Sequence, residues 1–350
     1  MTNVYRVNRP DIVVTNMDEL GIILSERLSV PWISFRREYH PDGAPAPRVN
    51  LSYTLNDYKD FEGKKVLTVY RRSQLPDRDS VARHLVNYPR LVNNLTDEEL
   101  FNVDEVDVLY PYWINARADH NPMTDKVAHV RKRDAGRGLE YKFDAQSFKE
   151  AGAERILTFH PHFHREPGVI DVEGIEVVCL DAVPSMVKYA KERLGISGDA
   201  LVLNPDMKPA KEGRYDVAHE FARYGDFEID HLEKQRLDEK TVSHDGKKRI
   251  NAKGRDVVIV DDIGSTFNTV RGAVYNIDNA KTIDIMVVHP VLPYEGLKNV
   301  NRLISDDNYP VRSITGTHTI NSDISEIPIE EAILDFYSPR KDELKLEFIE

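Results

Sequence analysis

Short apolar runs rich in β-branched residues recur along this chain, separated by stretches whose apolar positions return at helical spacing. The runs are Lys65 to Tyr70, Val106 to Tyr110, Arg155 to Phe159, Ile175 to Leu180, Asp256 to Val260 and Thr282 to Val288. Continuous apolar runs suit strands covered on both faces, as in a parallel sheet. Gln146 to Gly152, Ser185 to Leu194 and Thr269 to Asn276 have helical character. The alternation predicts an α/β fold of mainly parallel sheets flanked by helices. Within Ala151 to Ile156 a helix is expected to end at Gly152 and a buried strand to follow. The break at Arg165-Glu-Pro-Gly168 divides the chain into expected domains 1–170 and 171–350. Lys208 to Gly254 is polar and poor in apolar runs, and reads as mobile surface structure of the kind that makes an active-site flap. The tail after Ser313 is acidic and carries only weak structural signals.

Composition narrows the class. The 350 residues suffice for two domains, and 41% hydrophobic with 30% charged residues is ordinary for a soluble globular protein. The single cysteine, Cys179, excludes an internal disulfide and a cysteine metal cage, and fits a reducing compartment. No run approaches the length of about eighteen apolar residues that a membrane helix needs, and the first residues lack the apolar core of a secretory signal. The expected location is the cytoplasm, with no membrane partner. A net charge of −12 argues against a nucleic-acid partner but leaves an anionic small molecule open, because a local cluster of cations and N–H groups overrides the global sign.

The sharpest local pattern is Val257-Val-Ile-Val-Asp-Asp-Ile-Gly-Ser-Thr-Phe-Asn-Thr269. A buried strand ends in two carboxylates, then a small-residue turn, then a helix expected to begin near Thr269. Such a turn aims several N–H groups at one point, which suits an anion, and Ser265, Thr266 and Thr269 add hydroxyls. Asp261 and Asp262 would repel a phosphate directly, so they suit sugar hydroxyls or water around Mg²⁺. On the residues alone, a solvated turn with an aspartate cap is the other reading. His160, His162 and His164 alternate and would share one face of a strand. Arg71 and Arg72 follow a strand and read as solvated, with a phosphate contact the other option; Lys126 and the Arg131-Lys-Arg133 run are equally open.

The loop resembles that of the type I phosphoribosyltransferases and of the ribose-phosphate pyrophosphokinases. Other segments, in the same order, favour the pyrophosphokinases. Tyr39-His-Pro-Asp-Gly-Ala44 resembles their Phe-x-Asp-Gly-Glu motif, and Pro111 to His120 resembles their Pro-Tyr-Phe-x-Tyr-Ala-Arg-Gln-Asp-Arg segment. Gly152 to His162 resembles the strand leading to their metal-binding histidine, and Cys179-Leu-Asp-Ala-Val-Pro184 the Leu-x-Ala-x-Pro segment that follows. Asn204-Pro-Asp206 resembles their Ser-Pro-Asp segment, and Glu233-Lys-Gln-Arg236 their catalytic loop. The resemblance runs from about residue 35 to residue 320. The chain departs from the family's pattern at Ala44, Ala118, His120, His160, Met207 to Ala210, and Ser265, where the family usually has Asp.

The resemblance implies two tandem phosphoribosyltransferase-like domains and a diphosphotransferase that acts in nucleotide biosynthesis. MgATP would give its β,γ-diphosphoryl group to the anomeric hydroxyl of ribose 5-phosphate. The implied roles are catalysis for Lys234 and Arg236, and sugar-phosphate binding for Asp261, Asp262, Ser265, Thr266 and Thr269. ATP binding falls to Asp42, Arg117 and Asp119, and the metal to His162 and Asp206, with Mg²⁺ as cofactor. A homo-oligomer, dimer or hexamer, is implied too. The departures leave two alternatives: a different ribosyl phosphate acceptor, or a non-catalytic regulator that binds nucleotide.

Overall fold

The computed structural model describes residues 9–39, 45–50, 55, 57–72, 78–117, 139–205, 215–231, 235–236, 242–243 and 249–338. Asp42, Asp119, Asp206 and Lys234 lie outside these, as do Ala44, Ala118, His120, Lys126, the Arg131–Arg133 run and Met207 to Ala210. Of Arg236 only the backbone is described, in a two-residue strand. The described residues fall into two units: 9–72, 78–180 and 330–338 form the first, and 181–329 the second.

The first unit is built on an eight-stranded sheet. Its strands are β1 (Ile12–Thr15), β2 (Trp32–Tyr39), β3 (Pro45–Val49), β4 (Lys65–Val69), β5 (Glu105–Leu109), β6 (Arg155–Phe159), β7 (Gly168–Val172) and β8 (Ile175–Leu180). Their order is β3-β2-β1-β4-β5-β6-β8-β7. The six inner strands are parallel, and β3 and β7 pair antiparallel at the edges. β4, β5 and β6 each bury four consecutive residues, as strands covered on both faces must. Helices α1 (Glu19–Leu28), α2 (Arg78–Thr96) and α3 (Glu140–Glu150) belong to this unit, as does the C-terminal helix Glu330–Tyr337.

α1 shows why these residues form a helix. Asp18 caps it by accepting the Leu20 N–H at 3.0 Å, and Leu20, Leu24 and Leu28 recur on its buried face. A Cβ at Gly21 would lie 2.5 Å from Thr15 Oγ1, so only glycine lets α1 approach β1 this closely. The C-terminal helix is held by a buried polar cluster. Tyr337 donates to Asp107 at 2.7 Å, and Arg155 bridges Asp107 at 2.8 Å and Glu176 at 3.0 Å.

The second unit contains α4 (Val183–Glu192), β9 (Leu201–Asn204), α5 (Val217–Gly225), β10 (Glu228–His231), β11 (Gln235–Arg236), β12 (Val242–Ser243), β13 (Ile250–Asn251) and β14 (Asp256–Ile263). α6 (Asn268–Val274), β15 (Ile277–Asp278), β16 (Thr282–His289), α7 (Tyr294–Ile304), β17 (Val311–Thr317) and β18 (Ser325–Ile327) complete it. Six strands form a parallel sheet in the order β10-β9-β14-β16-β17-β18.

All six expected strands are present. β14 runs past the two acids to Ile263, and α3 begins at Glu140 rather than Gln146. Gly152, at φ +91°, follows the end of α3 as expected. Two expectations are corrected. Within Lys208 to Gly254, α5 buries Val217, Ala218, Phe221 and Ala222, so part of that polar stretch is a core helix. The tail after Ser313 holds most of β17, all of β18 and a helix that buries Ile333, Leu334 and Tyr337.

Candidate active site

In an open parallel sheet, ligands bind beyond the carboxyl ends of the strands where the strand order reverses. In the second unit this place lies between β9 and β14, since β9 has β10 on one side and β14 on the other. The last residue of β9 is Asn204, whose Nδ2 donates to Asp216 at 2.7 Å. Asp216 also caps α5 by accepting the His219 N–H at 3.0 Å, so the two ends of the segment carrying Asp206 are tied together. Asp261 and Asp262 stand across the reversal on β14, both half-buried, and Asp261 accepts the Asp262 N–H at 2.9 Å.

The Ile263–Asn268 turn is anchored from behind. Gly264 donates to the His289 carbonyl at 2.9 Å and accepts from Leu292 N–H at 3.2 Å. Phe267 sits at φ +58° with its side chain buried, in a region that costs a bulky residue about 1 to 2 kcal/mol. Its ring lies where a Gly264 side chain would be: a Cβ there would be 2.6 Å from the ring and 3.0 Å from Val287. Burial of Phe267 therefore holds the strained turn in place.

α7 orients the peptides of this turn. A Cβ on Gly296 would fall 2.1 Å from the Ser265 carbonyl oxygen, so that carbonyl is turned against the helix. Asn299, one turn later on the same buried face, donates to the Thr266 carbonyl at 2.7 Å and to Asn268 Oδ1 at 3.2 Å. Arg271 holds Asn299 in turn, donating to its Oδ1 at 2.7 Å. In a trans peptide the N–H points opposite to the C=O. With the Ser265 and Thr266 carbonyls facing α7, the N–H groups of Thr266 and Phe267 face the other way. Among the described residues, nothing bonds the N–H groups of Thr266, Phe267, Asn268 or Thr269, and α6 has no side-chain cap. Ser265, Thr266 and Thr269 are half-buried on this turn. The arrangement can take an oxyanion on its N–H groups, with the carboxylates of Asp261 and Asp262 beside it for hydroxyls.

The first unit carries the other described candidates. Arg117 closes the turn that follows β5, and is exposed. That turn is pinned by buried Asp144, which accepts from Trp113 Nε1 at 3.0 Å and Asn115 Nδ2 at 3.0 Å. Burial pushes the Asp144 carboxyl up to about 6, and its hydrogen bonds from Asn115 and Trp113 only partly oppose this. His162 is half-buried in the turn after β6. Trp113 meets Phe163 edge to face with centroids 5.1 Å apart, which couples the Arg117 turn to the His162 turn.

The expectation of three histidines on one strand face is corrected. β6 ends at Phe159, and His160 at φ +35° followed by Pro161 turns the chain. His160 is buried with Nδ1 2.9 Å from the Arg165 carbonyl, a structural role. Solvation of Arg71 is corrected as well: it is buried, its Nε 3.1 Å from the Asp18 carboxylate. Arg72 is half-buried, its guanidinium carbon 5.9 Å from the centroid of the Tyr112 ring. Among the described residues, no three His, Cys, Asp or Glu side chains form a group that could hold a metal. Gly296 and Asn299 escaped sequence reasoning. Their signal was a glycine and an asparagine at buried-face spacing within an otherwise amphipathic helix.

No family model matches the chain. A ribose-phosphate pyrophosphokinase of Halobacterium salinarum is 30% identical over 232 residues, covering 66% of this chain and 72% of the relative. The ribose-phosphate pyrophosphokinase of Methanothermobacter thermautotrophicus is 25% identical over 319 residues, covering 91% and 95%. The crystal structure of phosphoribosylpyrophosphate synthetase from Mycobacterium smegmatis shares the fold, with a TM-score of 0.63 at 18% identity over 93% of this chain and 97% of that one. Similarity to the Halobacterium relative over most of its length, within the two-unit α/β fold described here, makes this chain a member of the ribose-phosphate pyrophosphokinase family.

Proposed function

We propose that the chain is a ribose-phosphate diphosphokinase, which converts MgATP and ribose 5-phosphate into phosphoribosyl pyrophosphate and AMP. The observation that carries this reading is the Asp261–Thr269 turn, whose free N–H groups and flanking carboxylates match the two ends of a sugar phosphate. The 5-phosphate sits on the N–H groups of Thr266 to Thr269 and the hydroxyls of Ser265, Thr266 and Thr269. Asp261 and Asp262 accept from the ribose hydroxyls. The anomeric oxygen then attacks the β-phosphorus. A bond forms between that oxygen and the β-phosphorus as its proton passes to solvent, the bond from the β-phosphorus to the α,β-bridging oxygen breaks, and AMP leaves with the bridging oxygen.

The physical task is to bring two polyanions together and to offset charge on the transferring group, so positioning and electrostatics dominate. Arg117, Asp42 and Asp119 hold the nucleotide. Lys234 and Arg236 close over the β-phosphate. Half-buried His162, with Asp206, would hold Mg²⁺, which would offset negative charge on the phosphates, and two protein ligands suit an ion that keeps several waters. The assembly is a homo-oligomer, dimer or hexamer. A larger ribosyl phosphate acceptor is the second reading, favoured by Ser265 where the family usually has an acid. Among the described residues, no helix is long and apolar enough to cross a membrane.

A coupled assay of AMP release from MgATP, with and without ribose 5-phosphate, tests the reading. Release that depends on ribose 5-phosphate is expected. ATP binding without that release would refute the standard acceptor.

A further inference from the structure

The two units repeat one arrangement around the strand-order reversal. In the first, β1 stands between β2 and β4; in the second, β9 stands between β10 and β14, and all these strands are parallel. β1 and β9 are both four residues long, and their first residues pair with Val66 of β4 and Val257 of β14. Counting on from those two valines, Tyr70 and Arg71 take the places of Asp261 and Asp262, and Arg72 that of Ile263. The charge at this point of the fold is thus reversed between the units. Where the second unit has its second acid, Asp262, the first has the guanidinium of Arg71, and Arg72 follows it.

These two guanidiniums differ. Arg71 is neutralised: its side chain is 4% exposed and paired with Asp18, which is 7% exposed and also caps α1. Arg72 has no such partner. Among the described residues it makes no ion pair and no hydrogen bond, only the approach to the Tyr112 ring. The other half-buried guanidiniums described above have partners: Arg155 has Asp107 and Glu176, and Arg271 donates to the Asn299 amide oxygen. A half-buried cation with no counter-charge gives up hydration without return, unless a ligand supplies the anion. The guanidinium fork matches phosphate oxygens two at a time, and the approach to the Tyr112 ring uses none of its N–H donors in a hydrogen bond.

We propose that the carboxyl end of β4 is an oxyanion site of the first unit, in which Arg72 takes a phosphate group of the nucleotide. That the nucleotide is the source rests on the diphosphokinase reading; that the site binds a phosphate oxyanion does not. The second unit then receives sugar hydroxyls at the place where the first receives negative charge. This divides the two substrates between two copies of one fold.

The test uses the full chain and its Arg72→Ala and Arg72→Lys variants, titrated by calorimetry with inorganic tripolyphosphate, ATP and ribose 5-phosphate. Arg72→Ala is expected to weaken tripolyphosphate and ATP at least about tenfold, as loss of a charge-assisted contact does, with ribose 5-phosphate unchanged. Arg72→Lys should recover part of the loss. Thermal midpoints should stay nearly level, because no ion pair or hydrogen bond is lost, only a 5.9 Å approach to the Tyr112 ring. Tripolyphosphate binding that is unchanged in Arg72→Ala, or absent from the unmodified chain, overturns the site. Weakened tripolyphosphate with unchanged ATP overturns the nucleotide as the source. Binding that behaves as expected in a chain that forms no AMP counts against the diphosphokinase reading and leaves the site standing.

Discussion

Asn299 offers a test of how the proposed sugar-phosphate turn is held. Its Nδ2 donates to the Thr266 carbonyl at 2.7 Å and to Asn268 Oδ1 at 3.2 Å, and its Oδ1 accepts from Arg271 at 2.7 Å. Asn299→Ala removes all three bonds. At about 1 kcal/mol net for each, with a further cost for the stranded Thr266 carbonyl, the fold should lose about 3 to 4 kcal/mol. The share that bears on function is the Thr266 peptide, which becomes free to rotate its N–H away from the ligand. A loss of about 1.4 kcal/mol there is a tenfold change in affinity. Initial rates of AMP release, with each substrate varied in turn, should therefore show KM for ribose 5-phosphate rising about tenfold while KM for ATP moves by less than about twofold. Asn299→Asp keeps the acceptor for Arg271 but cannot donate to Thr266, so it should share the KM defect with a smaller fall in thermal midpoint. A lowered thermal midpoint with KM for ribose 5-phosphate unchanged in both variants would refute the reasoning and leave Asn299 a packing residue.

Asp261→Asn and Asp262→Asn should each lower kcat/KM for ribose 5-phosphate by about 10- to 100-fold, the worth of a charged hydrogen bond to a hydroxyl, with binding of ATP by calorimetry unchanged. Lys234→Ala should act on kcat, by about 100-fold or more, with both KM values little changed; steady-state kinetics decides. Asp144 predicts a pH effect on stability. Its carboxyl is raised to about 6, so between pH 4 and 6 the native state binds more protons than the unfolded chain. This group's contribution is therefore greatest at or below pH 4 and is lost as pH rises through 6. Urea unfolding at pH 4 and pH 7.5 should show Asp144→Asn gaining about 2 kcal/mol relative to the unmodified chain across that interval.

The fold was legible where burial imposes a simple pattern. Strands covered on both faces, such as Ile156–Phe159 and Val257–Val260, read as unbroken apolar runs. Elements whose buried face is carried by small or polar residues did not read so plainly. α5 buries Ala218, Ala222 and Gly225 beside Val217 and Phe221, and so merged with its polar surroundings. β17 buries Thr315 and Thr317, with Thr317 donating to the Val288 carbonyl, a partner distant in sequence. The Asp261–Thr269 turn stood out because its acids and hydroxyls are contiguous. Its backing by Gly296 and Asn299 did not, since no local pattern says which carbonyl a helix distant in sequence will meet. The histidines misled for the same reason: alternation predicts a shared face only while the strand continues, and His160-Pro161 ends it.

The central claim is that the whole β,γ-diphosphoryl group moves to the anomeric oxygen, and ³¹P NMR of one reaction mixture tests it most directly. MgATP and ribose 5-phosphate are incubated with the full chain, and the phosphorus signals are followed over time. The account predicts that AMP and a pyrophosphate ester on the sugar grow together in equal amounts, with no ADP. Growth of ADP with a singly phosphorylated sugar, or hydrolysis of ATP with the sugar unchanged, would contradict it.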